Sequence, residues 1–399
     1  MEGNTGRWSL SRLDVAGAFG DVGVLFPLAI ALINLNRMNP TAVFLAAGLA
    51  YIFAGAYFRI PIPVQPLKAI AAIALALQLP PSTIASAGLL MGLTLLLIGI
   101  TNLAPLLARL FTLPIVRGIQ LGLGFLLARE GLRLVLGIRA GQGFWRGISV
   151  WVVLMGLGAA ALLLLFRKSQ RYPAALVLLG DGVILGLATH WRALPSLALG
   201  PLPVTFLHPD GTELRLAFFT LLVPQFALTF GNAIVATENT AQILYGPQAR
   251  RVTTRALSLS IGLMNLAGGL FLAAPMCHGS GGVTAHYKFG ARTSKSSYVI
   301  GAVCLLLALF GRSAVGLLGL IPMAILGVFL IYVGIQHALF LRDIVKKTSS
   351  LVIAAVVGLV ALLTTNLTWG FLAGFLLQGL FLAFGKMRAR RTGPPVRPL

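Results

Sequence analysis

The run Ile60-Pro61-Ile62-Pro63-Val64-Gln65-Pro66-Leu67-Lys68-Ala69-Ile70 interrupts an otherwise nearly unbroken succession of apolar helical segments. Each proline removes a backbone donor and drives the residue before it out of the helical region, so 60–66 is expected to be extended. In hydrocarbon, broken backbone is tolerated only where it lines a cavity inside protein, and a lysine at that depth needs the same shelter. The stretch therefore marks an internal cavity. The helix expected after it, 66–79, spans about 21 Å at 1.5 Å per residue. That is shorter than the ~30 Å hydrocarbon core, so its N-terminus lies near the midplane.

With 58% hydrophobic and 10% charged residues among 399, and a mean hydropathy of +0.93, the chain reads as an all-α polytopic membrane protein. Apolar runs predict fourteen transmembrane segments. The first seven cover 14–35, 41–58, 61–79, 83–104, 113–129, 147–166 and 173–190. The second seven cover 216–239, 254–273, 275–289, 296–312, 320–340, 349–365 and 366–385. Most of the 31 basic residues fall in alternate short loops and tails, among them Arg59, Arg109, Arg167, Lys168, Arg250, Arg251, Arg292, Lys346 and Lys347. This bias puts both termini in the cytoplasm of a multi-pass protein of the plasma (cell inner) membrane. The net charge of +22 thus reports topology, and no nucleic-acid partner is expected. Arg129, Arg133, Arg139 and Arg146 are the main exception, and predict a short interfacial helix. The polar N-terminus reads as a retained start rather than a cleaved signal. Cys277 and Cys304 form neither a disulfide framework nor a metal spacing. No cofactor, metal or enzymatic chemistry is expected, since paired aspartates and a His-Glu-x-x-His arrangement are both lacking in the sequence.

The break has a partner. Gly20-Asp21 recurs as Gly231-Asn232, 211 positions later; Pro63 recurs as Pro275, 212 later; Leu113-Pro114 recurs as Ile321-Pro322, 208 later. Each half carries an odd number of segments, so the second must be inserted upside down. The chain divides into a first repeat (1–190), a connecting loop (191–215), a second repeat (216–385) and a basic cytoplasmic tail (386–399). Inverted repeats interrupted at corresponding places are characteristic of secondary transporters, and segments 3 and 10 are the broken pair here.

The second break reads Ala274-Pro275-Met276-Cys277-His278-Gly279-Ser280-Gly281-Gly282-Val283-Thr284. Two half-helices meeting end-on aim two sets of backbone N–H groups at one point, which suits a small anion. Lys68 adds formal positive charge if it turns inward. The expected substrate-binding set is Gln65, Pro66, Lys68, Asn232, Cys277, His278, Gly279, Ser280, Gly281 and Gly282. Amides beside 66–68 and 279–282 would cradle an oxyanion, with Gln65, Asn232 and Ser280 as side-chain donors. Asp21 and Glu238 are the candidates for proton coupling, because a buried acid near an anion is repulsive unless protonated. Gly122, Gly124, Gly156 and Gly158 read as close-packing glycines. Glu130 and Asp181 are assigned no chemistry.

These residues resemble the molybdate transporter family, within the wider sulfate permease superfamily. Pro61-Ile62-Pro63-Val64-Gln65-Pro66-Leu67-Lys68-Ala69 is similar to its first signature. The run from Pro275 to Gly282, continued by Tyr287-Lys288-Phe289-Gly290-Ala291-Arg292, is similar to its second. The resemblance implies a seven-plus-seven inverted repeat like that of uracil permeases, with segments 1–4 and 8–11 as a core domain and 5–7 and 12–14 as a gate. It further implies secondary active transport of tetrahedral oxyanions by alternating access, molybdate first, coupled to protons, with the lipid bilayer as surroundings and a homodimer through the gate. A STAS domain, common in the wider superfamily, is expected to be absent. A sulfate or other anion transporter of the same fold, or an anion channel, is the alternative.

Overall fold

The computed structural model describes residues 10–107, 112–138, 150–166, 169, 174–192 and 198–391. The first half comprises α1 (Arg12–Ala18), α2 (Val22–Asn36), α3 (Pro40–Phe58), β1 (Gln65–Pro66), α4 (Lys68–Leu77), α5 (Pro81–Thr101), α6 (Ala104–Leu107), α7 (Leu113–Val135), α8 (Val150–Phe166) and α9 (Ala174–Thr189). The second comprises α10 (Gly211–Leu216), α11 (Val223–Leu228), α12 (Ala236–Tyr245), α13 (Thr254–Leu270), β2 (Met276–Cys277), α14 (Ser280–Lys288), α15 (Lys295–Leu309), α16 (Gly311–Gly319), α17 (Met323–Leu339), α18 (Thr348–Thr364) and α19 (Leu367–Arg391). Helices α10, α11 and α12 are joined through π-helical turns at Ala217–Leu222 and Thr229–Val235 into one long rod.

Local chemistry accounts for where these helices begin and end. Asn39 accepts from Ala42 N at 3.2 Å with Pro40 at the first helical position, and Thr253 accepts from Ala256 N at 3.1 Å. Arg59, Gln78 and Asn102 close α3, α4 and α5 in left-handed conformations. The apolar helices bury Tyr51, Phe44, Phe58, Phe230 and Phe329 inside while Leu97, Ile100, Leu363 and Leu376 face outward. A surface of that kind suits lipid. Pro40–Phe58, Pro81–Thr101, Gly211–Arg251 and Met323–Asp343 are each long and apolar enough to cross a membrane.

The packing repeats as the sequence does. α3 lies against α15 through Gly48 and Gly301, and α5 lies against α13 through Gly92 and Gly262. A Cβ on Gly92 would come within 2.6 Å of Leu266 N, and one on Gly48 within 2.9 Å of Gly301 O. These pairs exchange under the offset of about 210 residues. α7 and α17 meet through Gly124 with Gly334 and Gly131 with Gly327, and α18 and α19 pack beside them. Small residues at such crossings let backbones approach closely where lipid gives no hydrophobic drive for association.

Several expectations need correction. The first segment is not one run over 14–35: it breaks at 19–21 between α1 and α2. Gly17 and Gly20 there press against the far end of α14, where a Cβ would lie 2.3 Å from Ala291 N or 2.8 Å from Ala285 O. The eighth segment outruns 216–239, because Asp210 accepts from Glu213 N at 2.6 Å and starts the helix inside the expected connecting loop. Arg129 and Arg133 belong to the last turns of α7 rather than to an interfacial helix, while Arg139 and Arg146 lie outside the described residues, as does 392–399 of the basic tail. Gly122, Gly124 and Gly156 do sit at tight contacts, but Gly158 faces open space.

Candidate functional site

The two breaks are joined to each other. β1 and β2 pair antiparallel, with Gln65 opposite Cys277 and Pro66 opposite Met276. Leu67 N donates to Pro275 O at 2.8 Å, and His278 Nδ1 donates to Pro63 O at 2.8 Å. Asn265 of α13 stands in for a neighbouring strand, donating to Met276 O at 2.6 Å and accepting from Met276 N at 2.8 Å. Prolines make this help necessary, since they cannot contribute donors of their own. The pairing also respects the repeat. Gln65 and its partner Cys277 are 212 positions apart, as are the caps Leu67 and Gly279 and the first helical residues Lys68 and Ser280.

The two helix starts are not equivalent in chemistry. At α4, Gln225 Oε1 accepts from Ala69 N at 2.8 Å and Ile70 N at 3.1 Å, and its Nε2 donates to Thr229 Oγ1 at 2.8 Å. The amide cradle expected there is thus largely occupied by the protein itself. At α14, Gly282 N and Val283 N donate to Gly279 O at 3.0 and 3.1 Å, and among the described residues no side chain accepts from the amides of Ser280 and Gly281. This end keeps its positive dipole available.

Lys68 turns toward that open end. A Cβ on Gly279 would lie 3.4 Å from Lys68 Nζ and 3.3 Å from Gln65 Nε2. Lys68 is 7% exposed. Among the described residues, ion pairs within 4.0 Å join only Arg117 with Asp343 and Arg133 with Glu130. Lys68 is therefore a buried ammonium with no carboxylate within 4.0 Å among the described residues, Asp21 being the acid on the same cavity wall. Gly282 is required by proximity: a Cβ there would fall 2.5 Å from both Gln65 Nε2 and Pro63 Cβ.

The residues repeated from segment 1 to segment 8 each hold one polar side chain of a break. Gln65 Nε2 donates to Asp21 Oδ1 at 2.8 Å, and Ser280 Oγ donates to Asn232 Oδ1 at 2.9 Å. Asp21 Oδ2 and Gln65 Oε1 remain buried without a partner among the described residues.

A cavity of about 530 Å³ opens beside these groups. The structure brings Asp21, Gln65, Lys68, Asn232, Gly281 and Gly282 together on its wall. It does not bring Pro66, Cys277, His278, Gly279 or Ser280 there. His278 is fully buried, its Nδ1 spent on Pro63 O and its Nε2 accepting from Ser260 Oγ at 2.8 Å, so it braces the break from behind. Glu238 is also elsewhere: it accepts from Thr254 N at 2.8 Å and so caps the start of α13. The facing wall carries Phe166, Tyr332, Gln336, His337 and Phe340. Sequence reasoning missed that wall. Its signal is faint: polar groups at 332, 336 and 337 on one side of an otherwise apolar helix.

A family profile described as "Molybdate transporter of MFS superfamily" matches residues 14–127 and 217–336. The chain is 30% identical to Molybdate transporter 1 of Arabidopsis thaliana, over 96% of this chain and 91% of that protein. It is 29% identical to Molybdate transporter 2 of the same plant, over 91% and 86%. In fold it resembles the transmembrane domain of a cyanobacterium bicarbonate transporter, BicA, at TM-score 0.68 and 17% identity, over 91% of this chain and 97% of that one. It also resembles the murine Slc26a9 anion transporter in the inward-facing state, at TM-score 0.70 and 14% identity, over 95% and 69%.

Proposed function

Because the chain belongs to the molybdate transporter family, a family of transporters and not of enzymes, we propose that it is a secondary active transporter that takes up molybdate. The observation that carries this reading is Lys68, a buried ammonium with no carboxylate within 4.0 Å among the described residues, beside the uncapped, glycine-rich start of α14 and a cavity of about 530 Å³. A tetrahedral dianion supplies both the missing countercharge and acceptors for helix N–H groups. On this wall Lys68, Gly281, Gly282 and Asn232 meet the anion, and Gln65, held by Asp21, orients at its edge.

The domain reading follows. Segments 1–4 and 8–11 form a core carrying both breaks, and segments 5–7 and 12–14 form a gate that supplies Phe166, Tyr332, Gln336, His337 and Phe340. The cavity lies between them, so movement of one against the other gives alternating access. It reaches Ser169 and Lys288, beside loops that the basic-residue bias assigns to the cytoplasm, and this conformation is inward-open. Uptake is coupled to protons; of the two acids expected near the site, Asp21 lines the cavity and Glu238 does not. The protein sits in the plasma (cell inner) membrane with cytoplasmic termini, as a homodimer through the gate.

Reconstitution tests the reading. Proteoliposomes should accumulate molybdate saturably, with competition by tungstate. Saturable uptake of uracil or bicarbonate that is indifferent to molybdate would overturn it.

A further inference from the structure

His337 stands on the gate side of the cavity with one ring nitrogen committed and the other free. Its Nδ1 donates to Val333 O, one turn back on α17, at 2.9 Å, which fixes the neutral tautomer with the lone pair on Nε2. The ring is 5% exposed, meets Phe340 edge-on at 6.0 Å between centroids, and lines the cavity. Nε2 has no hydrogen-bond partner among the described residues. A proton arriving there would create a donor and a positive charge inside the cavity, across from Lys68.

We propose that His337 binds the proton that accompanies the anion; this rests on the transport reading above. The physical reason is electrostatic. Lys68 and a protonated His337 repel each other across an empty low-dielectric cavity, and a dianion between them removes the repulsion and accepts from both. Anion binding and proton binding at His337 therefore favour each other, and by linkage the favour is reciprocal. Because Lys68 belongs to the element carrying the breaks and His337 to α17, the doubly charged pair forms only when both walls close on the anion. The bound proton is thereby tied to the conformation that moves.

The surrounding charges leave this role to His337. The elements packed on α17 are α2, α7, α8, α9 and the short turn Phe340–Asp343. α2 and α8 carry no titratable side chain, although Asp21 precedes α2; α9 carries Asp181; α7 carries Arg117, Arg129, Glu130 and Arg133. Arg117 is paired with Asp343, and Arg133 with Glu130. Arg342 lies in the turn, and Tyr332 is the other titratable group of α17. In the cavity the remaining charged groups are Lys68, Lys288 and Asp21, and Asp21 is tethered to Gln65 on the same wall as Lys68. Asp21 therefore holds its place whether or not the walls close.

Calorimetry of molybdate binding to the purified full chain, in buffers of differing ionisation enthalpy, reads proton uptake directly. Wild-type protein should take up close to one proton per molybdate on the alkaline side of the transition, with affinity falling there by up to about tenfold per unit rise in pH. Asp21→Asn alters the tether on Gln65 and so shifts affinity, but it should keep that proton uptake per molybdate bound. His337→Gln should bind molybdate with no linked proton and a flat pH dependence, and His337→Arg, with a fixed charge, should bind tightly and equally flatly. Proton uptake that persists in either His337 variant, or that vanishes in Asp21→Asn, overturns the proposal. A wild-type protein that binds molybdate with no proton uptake also overturns it, while one that binds no molybdate overturns the transport reading on which it rests.

Discussion

Gln225 and Ala69, 156 positions apart in the chain, are joined by a 2.8 Å hydrogen bond that caps the short helix α4 at the first break. The same amide oxygen takes Ile70 N, so one side chain from the second repeat satisfies the half-helix of the first. Gln225→Ala strands two buried N–H groups, each worth about 1–3 kcal/mol when unsatisfied. Thermal unfolding in detergent should fall accordingly. Gln225→Glu keeps the acceptor and favours the helix dipole but sets a negative charge near Lys68. It should retain stability and lose anion affinity, and a variant that retains both would separate Gln225 from the electrostatics of the site.

Lys68→Ala should move stability and binding in opposite directions. Removing an unpaired buried ammonium raises the stability of the ligand-free protein, because its desolvation cost disappears. Removing a charged donor to a dianion weakens binding by roughly 10- to 100-fold, equivalent to about 1.5–3 kcal/mol. Unfolding temperature and molybdate affinity measured on one preparation check both signs. Unchanged affinity would take Lys68 out of the site.

Gly281 and Gly282 are adjacent but differ in what surrounds them. A methyl at 282 collides with Pro63 Cβ and Gln65 Nε2, each 2.5 Å away, whereas a methyl at 281 meets nothing within 4 Å. Gly282→Ala should pry the breaks apart, destabilise by about 1–3 kcal/mol and abolish uptake. Gly281→Ala should fold with near wild-type stability, within about 0.5 kcal/mol. Equal losses at the two positions would contradict this packing.

Asn265→Leu tests whether the breaks depend on borrowed hydrogen bonds. The amide satisfies both the N–H and the C=O of Met276, and its loss should cost on the order of 2–5 kcal/mol with two backbone groups left bare. Reconstituted uptake should fall with the folded fraction. A stable, active Asn265→Leu would show that Met276 finds other partners.

How much of this was legible in the sequence differs from residue to residue. Prolines at 61, 63, 66 and 275 and glycines at 279, 281 and 282 announce the two breaks, because their restrictions on φ, ψ and donors act within one or two residues. The offset of about 211 positions tied the breaks together, and the N-caps Leu67 and Gly279 fall on it. Lys68 could be read as a buried cation from depth alone. Sequence could not say that Gln225 would occupy the amides of α4, that His278 would turn away to Pro63 and Ser260, or that Tyr332, Gln336 and His337 would face the cavity. Those outcomes depend on how each helix is rotated about its axis and which distant neighbour it meets. Rotation is set by glycine contacts such as Gly92 with Gly262 and Gly124 with Gly334, summed over whole interfaces. The sequence by itself determined where the backbone must break and that each break has an inverted partner. Only the tertiary structure decided which helix start of the broken pair is capped by a distant side chain, because a helix terminus keeps or loses its free N–H groups according to the side chain that reaches it from elsewhere in the fold.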